Sequence, residues 1–412
     1  MNILMFCSNP VSGGTVRIFC ELAKELPKVV SEGDHVACCV NKDNPSERYK
    51  DIKDLETIPV VSENQMFKDY YGGGLLRRTR NWIIRRVSYR KTLKQNISVM
   101  VQYIRNGKFD CIIIHNGGYV GDDLCNQMLE ASYRCAEHTL HRIYVLHSDS
   151  EKSICSKLRF RHYDKTISKQ ATNIVTVSNF TKNRIESSSF VTKDLDVIYN
   201  GVSDERGILD EGIKARMLRN ADKMHIIMIG NFHYYKGALS YIHMACDTLK
   251  ERADVDFCII GNIYEEDYYN KCMETIRTAG CEDIISVYQG IHNAADYIDL
   301  FDIMVVPSLY DESFGLISVE AMMRSVPVVA YACGGIPEVV VDSETGFIVP
   351  TGDEEELKEK VGYLLDHPDV KKNMGEKGRM RYEEHFTSRE MARNYYSLIK
   401  QEALPKQEIF TS

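Results

Sequence analysis

No window of this 412-residue chain approaches about eighteen uninterrupted apolar residues, so the sequence offers no transmembrane helix. The opening Met1-Asn2-Ile3-Leu4-Met5-Phe6 lacks the basic start and small-residue cleavage site of a signal peptide and reads as a strand. Cys-x-x-Cys pairs are absent. The thirteen cysteines are odd in number and scattered through apolar stretches such as Cys38-Cys39, Cys111 and Cys258. That pattern predicts reduced, buried thiols in a cytoplasmic protein over a disulfide framework or a zinc site. There is no Gly-x-Gly-x-x-Gly dinucleotide fingerprint, and no Asp-x-Asp metal motif in a plausible place. Basic charge is in deficit: a net −8 argues against a general nucleic-acid binder, whose affinity for phosphates needs a basic surface.

What is present is ordinary for a soluble globular chain, with 44% apolar and 27% charged residues. The length is too great for one hydrophobic core and predicts two domains. Short apolar runs alternate with amphipathic stretches from end to end. They include Ile3–Cys7, Val36–Val40, Cys111–His115, Ile143–His147 and Ile174–Ser178, then Ile226–Gly230, Phe257–Gly261, Ile284–Tyr288, Ile303–Pro307, Val326–Ala330 and Phe347–Pro350. Runs apolar on both faces predict parallel strands covered by helices, an α/β class with two doubly wound sheets. The pattern restarts near residue 225, after the polar stretch from Ser203 to Lys223. Residues 1–203 are therefore expected to form one Rossmann-like domain and 204–387 the other. Ligands in such folds bind outside the carboxyl ends of the strands.

The most informative stretch is Asp311-Glu312-Ser313-Phe314-Gly315-Leu316-Ile317-Ser318-Val319-Glu320, which follows the run ending at Pro307. A helix is expected from near Phe314, with Glu312 in the loop before it and Glu320 about two turns in. Eight residues of helix rise about 12 Å, too far for an acid/base pair on one bond. Two carboxylates at that spacing suit the ends of a long polar ligand, and the helix N-terminus between them favours a phosphate. A nucleoside diphosphate sugar has that order of parts.

Here the chain resembles the retaining glycosyltransferases of family 4, through the Glu-x7-Glu signature of Glu312 and Glu320. Gly334-Gly335-Ile336-Pro337-Glu338 with Thr345-Gly346-Phe347, Asn200-Gly201-Val202 and Gly13-Gly14 are similar to further motifs of that family, in order along almost the whole chain. The resemblance implies the GT-B fold, two Rossmann-like domains facing a cleft. The first is the acceptor side and the second the nucleotide-sugar side, and a last helix (388–412) crosses back to the first. It also implies a hexosyltransferase that works without a cofactor or metal, by front-side attack of the acceptor hydroxyl with the leaving phosphate as base. A sugar-nucleotide epimerase of the same fold and a non-catalytic binding subunit stay open as alternatives.

The resemblance further suggests roles for residues. Gly13 and Gly14 are expected at a phosphate, although a tight turn is the plainer reading of two glycines. His147, at the end of its strand, is favoured over His115 for contact with the donor sugar. Lys236 of Gly230-Asn231-Phe232-His233-Tyr234-Tyr235-Lys236-Gly237 is expected to neutralise the leaving diphosphate. Asn231 stands where the family usually has arginine, and brings neither the charge nor the bidentate fork. Glu320 is expected on the ribose, Glu312 on a sugar hydroxyl, and the backbone of Phe314, Gly315, Leu316 and Ile317 on phosphate.

One segment fits none of this. From Tyr70 to Phe109 there is no acidic residue, while Arg77, Arg78, Arg80, Arg85, Arg86, Arg90, Lys91 and Lys94 interleave with Leu75, Leu76, Trp82, Ile83, Ile84 and Val87. A basic amphipathic helix over 75–94 reads as an anionic membrane surface element, with a solvated helix or an anionic acceptor site as alternatives. The expected partners are therefore a nucleotide sugar and a saccharide or lipid-linked acceptor, for a cytoplasmic protein peripheral to the inner face of a membrane.

Overall fold

A computed structural model describes residues 1–8, 13–42, 44, 47–62, 75–117, 123–135, 140–148, 154–218, 220, 222–291 and 293–401, with backbone only for 75–87 and 154–159. The chain divides into two compact units, Met1–Gly201 with a returning segment from Ser388, and Val202–Thr387. Each is built on one parallel sheet.

Among the described residues of the first unit the strands are β1 (Asn2–Cys7), β2 (His35–Asn41), β3 (Glu56–Ile58), β4 (Cys111–Asn116), β5 (His141–Leu146), β6 (Asn173–Thr176) and β7 (Leu195–Val197). Their order across the sheet is β3-β2-β1-β4-β5-β6-β7. Ile3 to Cys7 and Ile112 to Asn116 are fully buried, because helices cover both faces. Helix α1 (Gly14–Val29) turns Ile18, Phe19, Leu22, Ala23 and Leu26 inward at helical spacing. Helices α2 (Leu75–Gly107), α3 (Asp123–Arg134), α4 (Ile154–Gln170) and α5 (Asn179–Ser188) complete the unit together with α13 (Ser388–Ile399). Helix α13 clusters with the first unit although it follows the second in sequence, and residues 402–412 of the expected last helix lie outside the described residues. It buries Met391, Ala392, Tyr395, Leu398 and Ile399.

The second unit holds β8 (Met224–Ile229), β9 (Val255–Ile260), β10 (Ile285–Tyr288), β11 (Ile303–Val306), β12 (Val328–Tyr331) and β13 (Gly346–Val349), in the order β10-β9-β8-β11-β12-β13. Between and after the strands lie α6 (Glu211–Met217), α7 (Ala238–Glu251), α8 (Glu266–Thr278), α9 (Leu316–Met323), α10 (Ile336–Val339), α11 (Glu354–Asp366) and α12 (Pro368–His385). In α11 the Asp353 side chain caps the Glu356 N–H at 3.0 Å, three glutamates occupy the first turn, and Leu357, Val361, Leu364 and Leu365 are buried.

Among the described residues, eleven of the thirteen strands coincide with the apolar runs of the sequence. The other two, β3 and β7, are three-residue edge strands. The twelve described cysteines are buried free thiols. No helix among the described residues is long and apolar enough to cross a membrane.

Candidate functional site

In the second unit the strand order reverses at β8, whose neighbours β9 and β11 carry the chain in opposite directions across the sheet. Loops leaving the carboxyl ends of β8 and β11 therefore meet at a topological switch point, where open α/β sheets bind ligands. The β8 loop ends in a 3-10 turn, Tyr234–Lys236, closed by Gly237 at φ +71°. A Cβ on Gly237 would lie 1.8 Å from the Pro307 carbonyl, so only glycine lets the two loops touch. The Leu309 N–H donates to the Tyr235 carbonyl at 2.8 Å.

That contact brings Lys236 to Glu312. The Lys236 Nζ forms an ion pair with Glu312 Oε1, which also accepts from Ser308 Oγ at 2.9 Å. The two side chains remain 29% and 24% exposed, as a binding pair must. Behind Glu312 the chain is clasped by Gly334 and Gly335: the Gly335 N–H donates to the Glu312 carbonyl at 2.7 Å. A Cβ on Gly334 would lie 2.1 Å from that same carbonyl. The glycine pair thus has a local reason, which is to let one backbone seat the other.

The helix after Glu312 starts later than the sequence suggests. Gly315, at φ +90°, is the N-cap, and α9 begins at Leu316. Glu320 is consequently the fifth residue of the helix, little more than one turn in. It is only 3% exposed among buried Val319, Ala321 and Met322, which removes the solvated-helix reading. Phe314 points inward, edge-on to Phe386 with centroids 5.8 Å apart, so its contribution to a site is backbone. Gly315, Leu316 and Ile317 supply the helix start, where N–H groups lack intrahelical acceptors. Asn231 serves its own loops, since its Oδ1 accepts the Asn262 N–H at 3.1 Å and ties the β8 loop to the β9 loop.

The first unit holds the remaining candidates. Gly13 is the N-cap of α1 and Gly14 its first residue; Gly13 has extended backbone rather than a left-handed turn. His147 follows β5, and its Nε2 lies 3.0 Å from Nδ1 of His115, with the rings stacked. The two histidines, rivals in the sequence, are one pair in the fold. Burial pushes the His147 imidazole down to about 3, and burial followed by the neighbouring His147 holds His115 well below the usual histidine range. Both are neutral at pH 7. His115 Nε2 is buried with no partner among the described residues. A buried bare nitrogen costs less than an orphaned N–H, so His115 Nδ1–H donates and the His147 proton sits on Nδ1. Phe19 of α1 and Tyr395 of α13 pack against His115, at 5.4 and 6.1 Å between ring centroids. Sequence spacing could not pair two histidines that meet only because β4 and β5 are neighbours.

Of the basic segment, the backbone is helical within α2, and the side chains of 75–87 lie outside the described residues. Arg90, Lys91 and Lys94 lie on its described part, where Arg90 and Lys91 are exposed at the surface together with Lys94.

The model of the Glycosyltransferase Family 4 matches residues 12–206, and that of Glycosyl transferases group 1 matches 210–381. The chain belongs to the group 1, family 4 glycosyltransferases. An uncharacterized glycosyltransferase of Methanocaldococcus jannaschii is 26% identical over 80% of this chain and 86% of its own. The N-acetyl-alpha-D-glucosaminyl L-malate synthase of Bacillus anthracis is 25% identical over 63% of this chain and 66% of its own length. Among solved structures, Anabaena HepE in complex with UDP superposes with a TM-score of 0.75 at 16% identity, over 97% of this chain and 100% of that one. This glycosyltransferase therefore has the GT-B architecture of two parallel α/β units.

Proposed function

We propose that this enzyme moves a sugar from a nucleoside diphosphate sugar to a hydroxyl acceptor with retention of configuration, in polysaccharide or glycolipid assembly. The observation that carries the reading is the Lys236–Glu312 pair at the switch point of the second unit, beside the start of α9 and ahead of the buried Glu320. A diphosphate at the helix start draws on its N–H groups and dipole. It also competes with Glu312 for the Lys236 ammonium, which frees the carboxylate for a sugar hydroxyl. Glu320 takes the ribose hydroxyls. As the anomeric C–O bond breaks, charge grows on the leaving phosphate, where Lys236 stabilises it. The acceptor oxygen bonds to the anomeric carbon on the same face, and the phosphate oxygen takes its proton. HepE has been solved with UDP-glucose, which supports a donor of this class.

Incubation with UDP-, GDP- and ADP-sugars tests the reading. One base is expected to give slow donor hydrolysis, and stabilisation by about 2.7 kcal/mol at a hundredfold excess over Kd. No hydrolysis and no stabilisation with any of them sinks it. The basic Arg90, Lys91 and Lys94 favour an anionic surface near the acceptor, at about 1 kcal/mol per residue and screened by salt. Salt-sensitive binding to phosphatidylserine vesicles is expected; indifference at low salt favours a soluble acceptor.

A further inference from the structure

The sheet of the first unit has a switch point of its own, because β1 lies between β2 and β4 and the chain leaves it in both directions. His115 stands near the carboxyl end of β4 at that edge, and His147 follows the neighbouring β5. We propose that His115 is a positioning residue: it does not meet substrate, and it fixes His147 as a neutral donor whose Nδ1–H is the one N–H of the pair open to a ligand. The proposal rests on the transferase reading given above for what that N–H serves, a substrate oxygen, and adds the residue that sets its form.

The open nitrogen follows by elimination. His115 Nδ1 and His147 Nε2 are joined to each other at 3.0 Å. His115 Nε2 is buried with no partner among the described residues. His115 has no exposed surface, whereas His147 keeps 7%, so only His147 Nδ1 can be reached from outside. In a neutral imidazole the nitrogen that carries the proton is set by the bond the other nitrogen makes. A proton on His115 Nε2 would be a buried orphan donor, so it sits on Nδ1 and is donated to His147. The His147 Nε2 is thereby an acceptor, and its own proton is left on Nδ1.

Packing holds the arrangement in place. Phe19 of α1 meets the His115 ring edge-on with centroids 5.4 Å apart, Tyr395 of α13 lies at 6.1 Å, and the His147 ring stacks on it at 5.2 Å. The His115 carbonyl accepts from the Cys125 thiol of α3 at 3.3 Å. The backbone N–H of His147 donates to the Asn116 carbonyl, also at 3.3 Å, which ties the end of β5 to β4. A ring so held is a preorganised source of one hydrogen bond. Burial keeps both imidazoles uncharged, so the donor suits a hydroxyl or ether oxygen and does not draw anions from a distance.

Nitrogen NMR of the enzyme labelled at histidine tests the proposal, the His147 signals being those lost in His147→Asn. In the wild type His147 is expected in the Nδ1–H form alone. His115→Leu removes the donor while filling much of its space. It is expected to leave His147 in both forms and to lower donor hydrolysis about tenfold, with nucleotide affinity held within about twofold. His115→Asn keeps an N–H close to the place of Nδ1 and is expected to restore the Nδ1–H form and most of the turnover, a rescue that filled space alone does not give. The Nε2–H form in the wild type overturns the proposal without any variant having to fold. An unchanged His147 form or unchanged turnover in folded His115→Leu overturns it too, as does His115→Asn behaving like His115→Leu. Failure of the transferase reading looks different: the wild type hydrolyses none of the UDP-, GDP- and ADP-sugars, whatever form His147 takes.

Discussion

Glu312 and Glu320 carry the same charge in different surroundings, one a quarter exposed beside an ammonium and the other buried in a helix. If Glu320 holds ribose, Glu320→Ala leaves the hydroxyls of a bound nucleotide unpaired and weakens binding of the nucleoside diphosphate itself, by roughly tenfold or more. Glu312→Ala is expected to spare that affinity and to depress transfer. Calorimetric titration with the nucleotide alone separates the two, and equal losses would refute the division. Lys236→Ala removes charge where it matters most as the bond breaks, so turnover is expected to fall on the order of a hundredfold with a smaller change in KM. Near-normal kcat would remove phosphate stabilisation from the account. At this scale the sequence is legible wherever chain neighbours define the chemistry. Glu312 and Lys236 can be named as candidates from it, because glycines and an apolar run mark their loops. The local duty of Asn231, the Ser308 bond and the histidine pair cannot, since each depends on which strands lie side by side.

Elements are legible in proportion to their burial. Strands covered on both faces read as apolar runs, whereas β3 and β7 bury only one residue each and leave no signal. The start of α9 reads too early in the sequence because apolar Phe314 fits helical spacing, and only the left-handed Gly315 shows where the helix begins. Helix α13 makes its own prediction. It belongs to the first unit although it follows the second in sequence. Its Tyr396 hydroxyl reaches Ser31 Oγ and Asp34 Oδ2, each at 2.7 Å, and five apolar side chains are buried. Burial of one such side chain contributes roughly 1.5–3 kcal/mol, so the set rivals the whole stability of a domain, about 5–15 kcal/mol. A chain ended at Thr387 is expected to lose the first unit to limited proteolysis while the segment from Val202 to Thr387 persists. Equal resistance of both units would show that α13 is dispensable.

The whole molecule should register the buried histidine pair as a pH dependence of stability. Below about pH 6.5 the unfolded chain binds a proton at each imidazole. The folded chain does not, because burial holds His147 down to about 3 and His115 well below its usual range. The unfolded state therefore binds more protons as pH falls, and stability falls with it. Between about pH 7.5 and about pH 5.5 the loss is on the order of 1 kcal/mol for each imidazole that stays neutral in the fold. Carboxylates act in a lower window. Asp34 is held down by the hydrogen bond from the N-terminal ammonium, and Asp254 down to about 2 by Arg252, so their contributions are present above about pH 4 and lost below it. Urea denaturation at the two pH values measures the histidine share. His115→Asn/His147→Asn is expected to be less stable at both, because the replaced rings leave space in a packed site, yet to show a much flatter change between them. The slope is the decisive quantity. A double variant that loses stability as steeply as the wild type would mean that other groups carry the protons, and that the pair is not neutral in the folded enzyme.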